Sequence, residues 1–214
     1  MNLHEPDVSL TDLGLAVECV WFVILLVRHS AHSKSMLDWF VAFFAATGLA
    51  AFIGALAHGL VTDVQSALYK GLWLGRFASI GLAAIASWAI GARLILSDAT
   101  ARAIIVCAFV AFVIYMVIVL KISQSFAVAI IYYLPSAVFL FIAFTVAYVR
   151  SRERFFAVGT AGTLMTFLAS LVQQTQIGFP YFDHNAFYHL IQAAALLLIF
   201  LAARRLTLPG RREA

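Results

Sequence analysis

Residues 102–120 read RAIIVCAFVAFVIYMVIVL, and from Ala103 to Leu120 no charged side chain and no proline breaks the run. A helix rises about 1.5 Å per residue, so such a run is long enough to cross a hydrocarbon core about 30 Å thick. A strand of a membrane barrel would instead alternate apolar and polar residues over roughly ten positions. This run is continuous, and a helix is what satisfies every backbone N–H and C=O within one segment in lipid.

Comparable runs stand on both sides of it. They predict about seven spans, at 10–28, 37–60, 70–96, 102–120, 126–149, 155–176 and 185–203. The connections are short: Arg28 to Ser35, Ser97 to Thr100, Arg150 to Arg154, and a Gly178-Phe179-Pro180 break before the last span. Pro135 falls inside the fifth span, where packed neighbours tolerate a kink. The fold class expected is therefore all-α: one polytopic bundle of seven transmembrane helices filling residues 1–214, with no soluble domain. Composition agrees. Of 214 residues, 64% are hydrophobic and 11% charged, with a mean hydropathy of +0.99. A water-soluble domain holds roughly 25% charged residues.

The net charge of +4 does not signal a nucleic-acid partner, because the basic residues sit at span ends rather than interleaved with exposed aromatics. They report orientation instead. Arg28, Lys34, Arg93, Arg102, Arg150, Arg152, Arg154, Arg204, Arg205, Arg211 and Arg212 fall on one side, against Lys70 and Lys121 on the other. The basic side belongs in the cytoplasm, which sets the N-terminus outside and the C-terminus in the cytosol. The first residues carry Glu5 and Asp7 and no basic region, so the first apolar run reads as a retained span rather than a cleaved leader. The expected address is a plasma membrane, the inner one in a bacterium with two, with membrane lipids as partners. Cys19 and Cys107 lie in apolar runs and are expected to be unpaired, buried packing residues.

Polar groups inside the hydrocarbon are expensive, so they carry the functional information. Glu18, His58, Arg76, Gln173, Gln174, His189 and Gln192 fall within spans, with His184 and Asn185 at the mouth of the last. Counted along their helices, all lie in the outer part of the membrane, and the inner halves hold almost nothing comparable. Asn185, His189 and Gln192 share one helix face at i, i+4 and i+7. His184 points about 140° away from His189. The arrangement predicts a polar pocket in the outer half of the bundle. Hydrogen bonds that only fix helix packing would account for any one of these residues, and Glu18 with Arg76 would account for a buried ion pair. The shared depth is what favours a pocket.

His58, in Gly54-Ala55-Leu56-Ala57-His58-Gly59, and the segment Asp183-His184-Asn185-Ala186-Phe187-Tyr188-His189-Leu190-Ile191-Gln192 resemble the seven-span superfamily of alkaline ceramidases and adiponectin and progestin receptors. The His-Asn-x-x-x-His-x-x-Gln ending looks like a bacterial-type branch. The resemblance implies zinc held by His58 and His189, with His184, Glu18 or Asn185 as a further donor, and metal-dependent hydrolysis of a lipid amide or ester. Gly54 stands where that superfamily has a Ser, Asn185 where it has a His, and Tyr69 and Lys70 where it has an Asp. A second reading, free of catalysis, is a seven-span sensor or accessory protein that binds a lipid or small ligand. Retinal is excluded, because the only lysines are Lys34, Lys70 and Lys121 and none lies in the last span. An ion transporter would need ionisable groups through the full membrane depth, and haem would rest on a single His58–His189 pair.

Overall fold

A computed structural model of the chain describes residues 4–29, 34–176 and 182–207. The expected Gly178-Phe179-Pro180 break and the Arg211-Arg212 tail lie outside the described residues. Among the described residues seven helices follow one another: α1 Pro6–His29, α2 Lys34–Leu60, α3 Ala67–Ile95, α4 Asp98–Lys121, α5 Phe126–Ser151, α6 Arg154–Gln174 and α7 His184–Thr207. Each is long and apolar enough to cross a membrane.

Several helices begin earlier than their apolar runs, for a local reason. Ser97 accepts from the Thr100 backbone N–H and starts α4 on the polar turn Asp98-Ala-Thr-Ala, ahead of the expected start at 102. Ser66 and Ser125 cap α3 and α5 in the same way. Pro6 opens α1, where its missing N–H is harmless. Hydropathy sees only the apolar part of such a helix. α5 continues through Pro135 to Ser151 and closes at Arg152, whose φ of 61° is left-handed and whose N–H donates to Tyr148 O at 2.8 Å.

Packing arranges six helices in a ring. α1 touches α2, α2 touches α3, α3 touches α5, α5 touches α6, α6 touches α7, and α7 returns to α1. α4 stands outside this ring, mainly against α3. Its outward face exposes Val106, Phe109, Val110, Val113, Ile114 and Val117, a surface suited to lipid tails. Cys107 is on that face too and is exposed, unlike the buried position expected for it, because it lies on the side of α4 away from α3. Cys19 is buried and free.

Across the ring, α2 also meets α7. There Phe44 packs edge-on to Phe200 at 6.3 Å, and Phe22 of α1 joins them, stacked on Phe200 with ring centroids 4.2 Å apart and edge-on to Phe44 at 5.3 Å. Counted from the ends at His29, Lys34 and Thr207, these rings lie about 10–15 Å into the bundle. Aromatic pairs of this kind contribute about 0.5–1.5 kcal/mol beyond the area they bury. They anchor the packed core between α1, α2 and α7. Between α6 and α7 the approach is closer still: a Cβ at Gly162 would sit 2.9 Å from Ala195 O.

Candidate functional site

Above the aromatic core the ring does not close on itself. A cavity of about 170 Å³ is bounded by α1, α2, α3, α5, α6 and α7. The space exists because Thr47, Ala50, Ala51, Ala83, Ala129 and Ala137 present small side chains to it, while Ile80, Ile130, Leu134 and Phe167 make apolar walls. The polar groups on its wall are Asp12, Arg76, Gln173, Gln174, His189 and Gln192, with Thr166, Ser170, Tyr133 and Tyr188 among them. Five residues expected in the pocket, Arg76, Gln173, Gln174, His189 and Gln192, thus line one space.

Its most buried polar contact joins α1 to α7. His189 Nε2 lies 3.2 Å from Asp12 Oδ1, with the two side chains 3% and 2% exposed. His189 Nδ1 lies 3.0 Å from Thr11 Oγ1. The Thr11 hydroxyl donates to its own helix, at 2.8 Å from Asp7 O and 3.0 Å from Val8 O. Its one proton is therefore used, and Oγ1 accepts the Nδ1–H of His189. Nε2 then faces Asp12 with a single proton between imidazole and carboxyl. Hydroxyl, imidazole and carboxyl follow in the order of an acyl-transfer triad, but Thr11 is not on the cavity wall and its proton is given to backbone.

Asp12 fits only because Gly54 faces it. A Cβ at Gly54 would lie 2.5 Å from Asp12 Oδ2, an oxygen that is buried and has no hydrogen-bond partner among the described residues. Gly54, lacking a side chain, makes room for a carboxyl group from α1.

Arg76 forms the second polar contact. Its Nη1 donates to His58 Nε2 at 3.2 Å, and its guanidinium sits 5.4 Å from the ring centroids of both Trp73 and Phe126. No carboxylate lies within 4 Å of it among the described residues, so the expected Glu18–Arg76 ion pair is not formed. His58 turns its other nitrogen to Glu5, with Nδ1 and Oε2 2.6 Å apart. The segment before α1 is held there as well, since Glu5 N–H donates to His58 O at 3.2 Å and His4 N–H to Gly59 O at 3.3 Å.

At the rim, Gln173 Nε2 donates to Asn185 Oδ1 at 3.1 Å, joining α6 to α7. Asp183 Oδ1 accepts from the Asn185 N–H at 2.7 Å, and the Asp183 N–H donates to Asp7 Oδ2 at 2.7 Å. Asn185 thus steadies a lining residue without lining the cavity. Deeper, Gln192 Nε2 lies 3.5 Å from Thr166 Oγ1, and Gln192 Oε1 is buried with no partner among the described residues.

Besides Asn185, three of the expected site residues stand apart from the cavity. His58 reaches it only through Arg76. His184 pairs with its neighbour, Nδ1 3.3 Å from Asp183 Oδ2. Glu18 lies two turns beyond Thr11 on α1, about 240° around the helix from Asp12, and is only half-buried. Among the described residues no group of three His, Cys, Asp or Glu side chains is placed to hold a metal ion. The imidazoles do not fit zinc as they stand: both His189 nitrogens are engaged, and a dication at His58 Nε2 would meet the Arg76 guanidinium.

Sequence reasoning passed over Asp12, because a first span starting at 10 puts it at the membrane edge. With α1 starting at Pro6, it lies about 9 Å along the helix. The signal was present: Asp12 shares a face with Leu15, Ala16 and Cys19, all buried.

Seven helices with the length and composition of membrane spans, six of them round an internal cavity with polar groups on its wall, are what the described residues form. The chain belongs to a family of unknown function, DUF6962, whose model matches residues 8–208. No curated protein and no solved structure matches it.

Proposed function

We propose that this chain is a seven-span membrane protein that binds a small amphiphile in its central cavity, as a sensor or accessory component. The observation that carries the reading is the cavity's division of labour. Small and apolar residues open the space and make most of its wall, and a few polar groups from α1, α3, α5, α6 and α7 converge on it. Ligand pockets commonly combine such apolar walls with a few convergent polar groups. In this reading the apolar part of the ligand lies against Ile80, Ile130, Leu134 and Phe167. Its polar part meets Arg76, Gln173 and the Asp12–His189 pair. The N-terminus faces outside and the Arg204-Arg205 end faces the cytoplasm, by the asymmetry of basic residues, so the cavity lies in the outer half of the bundle.

Native mass spectrometry of the purified protein tests this. The wild type is expected to retain one amphiphile per chain after delipidation. Ala83→Trp and Ala137→Trp, which fill the cavity, are expected to lose it while keeping the helical circular-dichroism signal. Equal retention by all three proteins, or none by the wild type, overturns the reading.

The zinc-dependent hydrolase reading has one observation in its favour: α2 and α7 bring His58 and His189 to the same end of the bundle, both coupled to Arg76 or the cavity it lines. Zinc there requires His58 to release Arg76 and His189 to release Asp12. Metal content of wild type, His58→Ala and His189→Ala decides it. Stoichiometric zinc lost in both variants would restore that reading over simple binding.

A further inference from the structure

A second cavity, of about 410 Å³, lies at the opposite end of the bundle, between the start of α6 and the end of α7. It is lined by Arg154, Phe155 and Val158 from α6 and by Leu201, Arg204 and Arg205 from α7. Three guanidinium groups on one cavity carry three like charges. Among the described residues none of the three has a carboxylate within 4 Å, and none donates a side-chain hydrogen bond to a helix carbonyl. Elsewhere at this end Arg150 donates to Ile95 O at 3.4 Å, and Arg102 is exposed on α4, which contributes nothing to this cavity.

The cavity also borders the first turn of α6. The N-cap residue there, Glu153, makes no side-chain hydrogen bond to the helix, so the first backbone N–H groups of α6 are not capped by a side chain. Such a helix end attracts anions. Phe155, Val158 and Leu201 supply an apolar wall directly beside the charges, and Leu201 is exposed on the outside of the bundle.

We infer that this cavity is a binding site for the phosphate headgroup of an anionic phospholipid, whose acyl chains run down the apolar wall of α6 and α7. Unpaired guanidinium groups recognise phosphate oxygens through paired N–H donors. The lipid, rather than free phosphate, is the occupant because the charges stand at the end of spanning helices, where a headgroup is already held at high local concentration. Basic pockets between spanning helices bind lipid headgroups by this chemistry. Nothing in this inference depends on the central cavity.

The test uses the full chain in nanodiscs of phosphatidylcholine doped with phosphatidylglycerol of the same acyl chains. Native mass spectrometry reads bound lipid, and thermal unfolding reads stabilisation. Wild type is expected to retain one phosphatidylglycerol preferentially and to unfold at a higher temperature than in phosphatidylcholine alone. Each of Arg154→Gln, Arg204→Gln and Arg205→Gln is expected to weaken retention about fivefold, and the triple variant roughly a hundredfold. Arg102→Gln, a basic residue at the same end away from the cavity, is expected to leave retention unchanged. Equal loss in Arg102→Gln, undiminished retention in the triple variant, or equal stabilisation by inorganic phosphate alone overturns the inference.

Discussion

The two halves of this bundle use the same helices in opposite ways. Toward the arginine-rich end, Phe22, Phe44 and Phe200 interlock, and the buried faces of α1, α2 and α7 meet through these rings together with Leu26, Leu196 and Ile199. Toward the other end the same three helices carry Asp12, His58 and His189, and the space between the ring helices is left open. Nothing about length or hydropathy separates the halves. What differs is side-chain volume. Large rings fill the space between α1, α2 and α7 in the first half, whereas Ala50, Ala51, Ala83 and Ala137 leave the second half with a void that polar groups then border. Between α1, α2 and α7 the first half supplies rigidity, and the second is open to hold something at the centre of the ring.

The largest expected effect breaks the solid half. Phe200→Ala removes a stacked partner from Phe22 and an edge contact from Phe44, and it is expected to cost about 3–5 kcal/mol. Unfolding in graded denaturing detergent measures it, and retention of amphiphile by the protein that remains folded should be unchanged. A loss below about 1 kcal/mol would mean that the aromatic cluster is not the bundle's core.

Next comes the seam where the polar site presses on the backbone. Gly54→Ala drives a methyl group into Asp12 and is expected to cost about 1–3 kcal/mol. Because the clash is with one carboxyl group, Gly54→Ala and Asp12→Ala should be strongly non-additive, the second substitution relieving the first. Additive losses would show that α1 and α2 are strained at some other contact.

Glu18→Gln is the smallest. Glu18 stands off the cavity, and its buried Oε2 has no partner among the described residues, so removing the charge is expected to change stability by less than about 0.5 kcal/mol or to raise it slightly. Amphiphile retention should be untouched. A clear drop in retention would place Glu18 at the site after all and redraw the boundary between the halves.

Legibility in the sequence follows the same boundary. Helix number and approximate position were readable, because an apolar run of spanning length has few other outcomes in lipid. The clustering of polar residues toward one end was readable too, by counting residues from each span's edge. Partner choice was not. Arg76 and Glu18 have opposite charges at similar depth, yet Arg76 turns to His58, and Glu18 lies on a different sector of α1. Asp12 escaped because hydropathy marks where an apolar run begins, whereas a capped or proline-started helix begins a turn earlier.

By itself the sequence determined seven helices, the concentration of basic residues at one end and of buried polar residues at the other, and the helix face shared by Asn185, His189 and Gln192. Only the tertiary structure decided that α4 leaves the ring, that the ring encloses a cavity, and that Asp12 rather than Glu18 meets His189. The physical reason is that periodicity fixes which way a side chain points from its own helix axis. Its partner depends on the rotation and contact of neighbouring helices, and those are set by small residues such as Gly54 and Gly162, whose importance appears only once another helix is pressed against them.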